Sequence, residues 1–339
     1  MVATSNGVVV RLVCAVGLMA WAAAAISQSD SPRSLLERAS EARSSYSFVG
    51  EFIYQYGGDI ESMRIWRAAN PETGIRERLE SLSGESREIL RDNETVTCIL
   101  PSSESVMVDE RRLQRPLDAR LPGNPDALQP NYQLEVAGQG RVAGRPTTRL
   151  SIDARDDLRY GYKLWFDDET GLLLRAEVVS PLGEVLERVM VLSFELREQI
   201  HSEQLASQLP QTGYARMTTN SQSPDGAQSS AGQGLDQWSL NALPEGYALT
   251  MNQMQPLPGR DEPVRHLMIS DGLASVSLYI ESQDQADPID GSRQMGALNA
   301  YGRALDGYQA IAVGEVPAAT VERVANALTT NQSSDEAGN

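Results

Sequence analysis

Hydrophobic positions in this chain alternate with polar ones far more often than they recur at helical spacing. In the segment Tyr46 to Gln55, Tyr46, Phe48, Phe52 and Tyr54 alternate with smaller or polar residues, the period of a strand with one aromatic face. Turn chemistry then cuts the chain repeatedly. Gly57-Gly58-Asp59, Pro71 to Gly74, Gly84 and Asp92-Asn93 separate strands predicted at 60–68, 75–82, 87–91 and 95–100, followed by a short one at 106–108. Strands resume at 132–136, 149–152, 162–166, 172–179 and 185–196, with the clearest turns at Asp168 to Gly171 and Pro181 to Glu184. Between the two series, residues 116–130 hold four prolines and no alternation, which predicts an irregular loop or lid. Helical signals are few: Ser31 before Pro32 is an N-cap signature, with Leu35, Leu36, Ala39 and Ala42 on one face, and a second helix is predicted over 317–328.

About ten successive antiparallel strands with one helix predict a mainly antiparallel α+β fold. Its first part is a large curved sheet or half-barrel, with the helix packed in its concave side. Residues 220–234 are Ser, Gln, Gly and Ala without an apolar anchor, the composition of a flexible linker. Beyond it, strands at 267–270 and 275–281 around the Asp271-Gly272 turn, another at 311–313 and the second helix make a smaller α+β domain. The expected divisions are a half-barrel domain over 29–210, a linker over 211–234, the smaller domain over 235–330 and a frayed tail over 331–339. Residues 1–28 have the pattern of a cleavable signal peptide: Arg11, then the apolar run Leu12 to Ile26, too short for the roughly 20 residues that span a bilayer. Cys14 follows Arg11, Leu12 and Val13, a poor lipobox.

Composition removes several function classes. The formal net charge is −17, and losing Arg11 with the leader takes it to −18, which argues against nucleic acid as a partner. Lys163 is the sole lysine among 29 cationic residues. After cleavage Cys98 stands alone, so no internal disulfide is available, and His201 and His266 are too few for the usual metal clusters. No nucleophile elbow, zinc-protease, Walker or dinucleotide motif occurs. Asp156-Asp157 and Asp167-Asp168 fall in predicted turns and read as solvated turn acids rather than a catalytic pair. The expectation is a binding protein, not an enzyme, without cofactor or metal.

Two clusters are candidates for binding. Phe48, Phe52 and Tyr54, with Met63, Trp66, Met107 and Trp165 on other strands, are suited to lining the concave side. They form either an apolar cavity for acyl chains or a closed core against the first helix. Arg76, Arg78 and Arg87 form either a cationic mouth for a phosphate or carboxylate headgroup or cross-strand pairs with glutamates on a wet face. In the smaller domain Arg293, Tyr301 and Arg303 are the candidate partner contacts.

Several separated runs resemble the RseB/MucB family: RERLESLSGESREILR from Arg76, GRVAGRPTTRLSI from Gly140, RDDLRYGYKLWFDDETGLLLRAEVVSPLGEVLE from Arg155, HLMISDGLASVSLYIE from His266 and AIAVGEVPAAT from Ala310. They span both predicted domains in order. The resemblance implies a periplasmic negative regulator of an extracytoplasmic stress sigma factor. Such a protein binds the periplasmic region of the anti-sigma factor (RseA/MucA-like) and hinders its cleavage by a stress-activated protease. It also implies a first domain similar to the lipoprotein carriers LolA and LolB, and release on binding lipid or lipopolysaccharide. A lipid or lipoprotein carrier of LolA type is the alternative. Nothing in the sequence separates a monomer from a homo-oligomer.

Overall fold

The computed structural model describes residues 31–70, 72–93, 95–109, 125–219, 237–255, 257, 260, 262–283 and 289–330. Helix α1 (Pro32–Ser45) opens the fold. The Ser31 side chain accepts from the Ser34 amide while Ser34 reaches back to the Ser31 amide, so two otherwise orphaned donors are satisfied at the start. Strands β1 (Ser47–Tyr56), β2 (Asp59–Asn70), β3 (Gly74–Ser81), β4 (Glu88–Asp92), β5 (Thr95–Leu100) and β6 (Ser105–Asp109) follow as a meander. A one-turn helix, α2 (Pro125–Leu128), precedes β7 (Tyr132–Val142), β8 (Arg145–Ala154), β9 (Gly161–Asp167), β10 (Leu173–Val179) and β11 (Val185–Arg197). The pairing of β11 with β1 joins the two meanders into one sheet. After the short helix α3 (Ser202–Leu205), β12 (Ala215–Thr219) adds to the far edge, parallel to β6.

This sheet has twelve strands in the order β12-β6-β5-β4-β3-β2-β1-β11-β10-β9-β8-β7, open at β12 and β7. The strand periodicity is therefore legible in the sequence, with one correction. Residues 215–219, placed in the linker, form an edge strand: Glu104 O receives the Ala215 amide, and Tyr214 and Leu209 pack against Ile99, Val106 and Val108. The predicted leader 1–28, the predicted linker residues 220–234, the expected tail and most of the proline-rich loop lie outside the described residues.

The smaller lobe holds β13 (Trp238–Leu240), β14 (Ala248–Gln255), β15 (Val264–Ser270), β16 (Ser275–Ser282), β17 (Gly291–Met295), β18 (Leu298–Leu305) and β19 (Tyr308–Gly314). Helix α4 (Ala318–Ala327) and β20 (Leu328–Thr330) complete it. Six strands form an antiparallel sheet, β14-β15-β16-β19-β18-β17, and β13 pairs with β20. Val321, Val324 and Ala325 bury one side of α4 on Leu278, Ile280, Ala310 and Ala312, and Leu328 of β20 joins the same cluster. Strands β13, β14, β17, β18 and β20 were not anticipated. Ala248 to Gln255 offers mostly Met, Asn and Gln, with Thr250 its one β-branched residue, β17 opens on Gly291, and Gly302 interrupts β18.

In the larger lobe the core lies on the inner face. Leu35, Leu36 and Ala39 of α1 pack with Leu150, Ile152, Tyr162, Leu164, Phe166 and Ala176, while Ala42 continues the contact into Phe48, Phe52, Met63 and Ile65. Gly171, with φ +78°, lets the β9–β10 turn approach the helix: a Cβ there would stand 3.2 Å from the Arg38 carbonyl oxygen. Together the described residues form one compact unit.

Candidate functional site

Strand register sorts the candidate ligand residues onto two faces. Directly opposed residues share a face, and neighbours in sequence do not. Phe48, Phe52 and Tyr54 on β1 lie with Met63 of β2 and Val189 and Val191 of β11 on the α1 side. Along the same face the pairs continue through Ile65, Leu79, Ile89 and Cys98 to Met107 on β6 and Met217 on β12. Near β1 and β2 this face is closed: Phe48, Phe52 and Met63 are buried beneath the end of α1. Toward β12 it opens, with Met107 at 42% and Met217 at 40% exposure. The concave side is thus a filled core at one end and an uncovered apolar strip at the other, among the described residues.

Trp66 does not join that face, whereas Trp165 is buried with its residues. Trp66 alternates with Ile65, so its indole points outward, while Trp165, opposed to Arg149 and Arg175, is buried in one cluster with Phe48, Phe52 and Met63. Each is stacked with arginines: Arg78 lies 3.8 Å and Arg64 5.8 Å from the Trp66 ring, Arg175 4.2 Å and Arg149 5.9 Å from that of Trp165. Alternation alone cannot say which side of a strand is inner, and here the outer side also carries Trp66.

The expected cationic mouth is not formed, because its arginines are split between faces and paired. Arg76 and Arg78 face outward; Arg76 lies 3.5 Å from Asp92, and Arg78 donates to Glu88 at 2.7 Å. Arg87 sits toward the inner face and pairs with Glu61, which also accepts from the Tyr56 hydroxyl at 3.2 Å. The arginines are paired with acids across strands, as the alternative had it, but not on one wet face. Arg78 and Glu88 are nearly inaccessible, since α3 and its exit strap them over: Gln204 O accepts from Arg78, and Glu88 accepts from the Ser207 hydroxyl and the Gln208 amide. On the inner side Arg67 and Arg91 flank Glu77, all three buried, and Arg67 reaches the Arg43 carbonyl at the end of α1.

Asp167 is also not the solvated turn acid expected. It is fully buried, takes both Nε and Nη2 of Arg145 at 2.7 and 2.9 Å, and accepts from the amide and hydroxyl of Thr170. Burial pushes its carboxyl up, but the Arg145 and Thr170 hydrogen bonds outweigh that and hold it below the ordinary carboxylate value. Glu177 behaves likewise: burial opposes the charge, and Arg175 and Arg188 win.

Of the partner candidates, Arg293 is exposed on edge strand β17. Tyr301 packs against the smaller lobe's core, and Arg303 donates to the Ala325 and Leu328 carbonyls, where it caps the end of α4. A cleft of about 460 Å³ opens on this lobe between Trp238, Val264, Ile280 and Tyr308, rimmed by Glu262, Arg265 and Glu281. Among the described residues no group of three or more His, Cys, Asp or Glu is placed to hold a metal, and no helix is long and apolar enough to cross a membrane.

Sequence reasoning missed the seam between the lobes. The β8–β9 turn presents Leu158, Arg159 and Tyr160 to four separate elements of the smaller lobe. Leu158 O accepts from the Thr320 hydroxyl at 2.7 Å and from Tyr247 at 3.3 Å. Arg159, fully buried, donates Nε to Asp271 at 2.6 Å and Nη2 to Glu245 O, and lies 4.6 Å from the Tyr247 ring. The Tyr160 hydroxyl accepts from Asn299 at 2.9 Å, and Tyr132 donates to Asp271 at 2.9 Å. Gly246, at φ +80°, is required here: a Cβ would lie 2.4 Å from Asn131 Oδ1 and 2.7 Å from Arg159 Nη2. Arg159 and Asp271 stand 112 residues apart, and each reads as turn punctuation by itself. No single-sequence signal pairs them.

Comparison with known proteins bears on both lobes. The family model described as the MucB/RseB N-terminal domain matches residues 31–209, and that described as the MucB/RseB C-terminal domain matches residues 232–329. The sigma factor AlgU regulatory protein MucB of Pseudomonas aeruginosa is 32% identical over 295 residues, covering 86% of this chain and 88% of that protein. The sigma-E factor regulatory protein RseB of Escherichia coli K12 is 25% identical over 292 residues, covering 86% and 88%. Among solved structures, MucB in complex with MucA(peri) is similar with a TM-score of 0.66 at 27% identity, over 89% of this chain and 100% of that one.

Proposed function

Because this chain belongs to the MucB/RseB family of sigma factor regulatory proteins, we propose that it works in the periplasm, holding the periplasmic region of a membrane-bound anti-sigma factor and hindering its proteolysis. The observation that carries the reading is the likeness, across both lobes, to a MucB structure solved with MucA(peri). A regulator of this kind acts by differential binding and asks for no catalytic group. An amphiphile on the inner face, at the uncovered strip of Met107 and Met217, is the release signal: by linkage, a ligand that weakens the partner's grip is itself bound less tightly while the partner is held. The test is the rate at which a purified site-one protease cuts the anti-sigma periplasmic segment with and without this protein. Slower cleavage is expected, and an unchanged rate refutes the proposal.

A lipid or lipoprotein carrier is the second reading, favoured by the same strip. It needs only the larger lobe. Deleting 235–330 leaves a carrier working and abolishes partner binding by a regulator. The seam weighs against the carrier, because Ala297 and Leu273 of the smaller lobe pack into the larger lobe's core.

A further inference from the structure

We infer that Arg159 and Asp271 form a latch between the lobes, a buried ion pair whose release lets the two lobes part while each keeps its own core. The seam is built mainly of polar contacts. Across it Arg159, Tyr132, Tyr160, Tyr247, Asn299 and Thr320 are bonded, while the apolar contribution centres on Leu273, Ala297 and Leu128. Interfaces of that composition between parts of one chain behave as separable ones. A buried ion pair adds little net stability over apolar residues of the same size, yet removing one partner is costly because the other is left charged in a dry site.

The second observation is that the groups in the seam retain partners inside their own lobes. Arg159 is also paired with Asp156, which is 38% exposed in its side chain, so the guanidinium keeps a wetted carboxylate when Asp271 leaves. Asp271 Oδ1 accepts from the Leu273 and Ala274 amides of its own turn at 3.0 and 2.8 Å. Asn299 holds the Ala297 and Val316 carbonyls at 3.3 and 2.8 Å. Opening therefore exchanges one set of bonds for water and leaves a second set in place. Closure is sterically exact around Gly246, so the closed state is one defined arrangement.

The latch stands by itself; its use, as the step that lowers partner affinity, rests on the regulatory reading above. Hydrogen exchange of the full chain separates the two. Peptides 128–134, 156–161, 243–248 and 270–275 report the seam, and peptides 162–166 and 276–280 report the two cores. Asp271→Asn keeps the turn's acceptor and removes the countercharge. It is expected to speed seam exchange at least about tenfold with the cores unchanged. Arg159→Met combined with Asp271→Asn removes both charges and is expected to exchange more slowly than Asp271→Asn alone. The latch is overturned if Asp271→Asn leaves the seam unchanged, if it speeds both cores equally, or if the double variant is no slower than the single. Affinity for a MucA-type periplasmic segment is measured on the same variants. A loosened seam with unchanged affinity keeps the latch and overturns its coupling to the partner.

Discussion

Replacing Glu88 by alanine tests how the outer face of the larger sheet is held. Glu88 is 1% exposed and gathers Arg78 Nη1 at 2.7 Å, the Ser207 hydroxyl at 2.6 Å and the Gln208 amide at 3.0 Å. Its removal leaves Arg78 buried with Gln204 O at 2.8 Å and only Glu80, at 3.7 Å and 39% exposed, to offset its charge. Breaking a buried pair costs about 3–5 kcal/mol, and Glu80 moves the expectation to the low end, about 3 kcal/mol. For a lobe of this size that lowers the thermal midpoint by roughly 6–12 °C. The damage is directional, because Glu88 anchors the strap that carries the chain from α3 to β12. Exchange at 202–219 is expected to rise before that of the α1-covered core. Glu88→Gln retains one acceptor and the shape, so a loss of about 1–2 kcal/mol is expected. A midpoint within 1 °C of wild type, or a strap whose exchange does not change, refutes the assignment of Glu88 as the anchor.

Met107→Glu on the open inner strip is expected to weaken binding of a dodecyl-chain amphiphile about tenfold, by titration calorimetry, while Arg76→Ala on the opposite face leaves it unchanged. Acidification reports Asp167 and Glu177. Their folded carboxyls titrate below the unfolded ones, so the stability they add is complete above the ordinary carboxylate range and is lost as pH falls through the folded values. Urea midpoints between pH 6 and pH 2 follow this loss. Asp167→Asn is expected to flatten the profile, and an unaltered slope contradicts the linkage. Arg303→Ala removes the cap on α4 and costs about 1.5–3 kcal/mol, whereas exposed Arg293→Ala stays within about 0.5 kcal/mol and is expected to alter only partner affinity. Denaturation and binding of each variant decide both.

The larger sheet was legible because its turns are written in glycine, proline and Asx residues and its strands in aromatic and branched ones. Ser31-Pro32 announces α1 for the same reason: the capping atoms are neighbours in sequence. What pattern could not assign is which face is inner. In Ile75-Arg76-Glu77-Arg78-Leu79 a charged residue stands at both parities, since Glu77 is buried on the inner side between Arg67 and Arg91 while Arg78 is buried on the outer side against Glu88. Hydrophobic alternation marks a buried face only when the other face is wet. Here α1 covers one side and the strap after α3 covers part of the other, so arginine and glutamate serve as paired core residues on both.

The same limit explains the seam and gives it its meaning. Leu158, Arg159 and Tyr160 are consecutive, yet a turn followed by an alternating strand is all that local pattern can record of them, because their partners lie at Glu245, Tyr247, Asp271, Asn299 and Thr320. The composition of 220–234 is that of a flexible linker between two domains. The structure instead engages them through the β8–β9 turn, Tyr132 of β7 and Glu187 of β11, with the fully buried charge of Arg159 among these contacts. Movement then has a threshold, set by the latch rather than by the linker. A ligand on the inner face acts on the partner only if its preference for the parted arrangement exceeds that threshold.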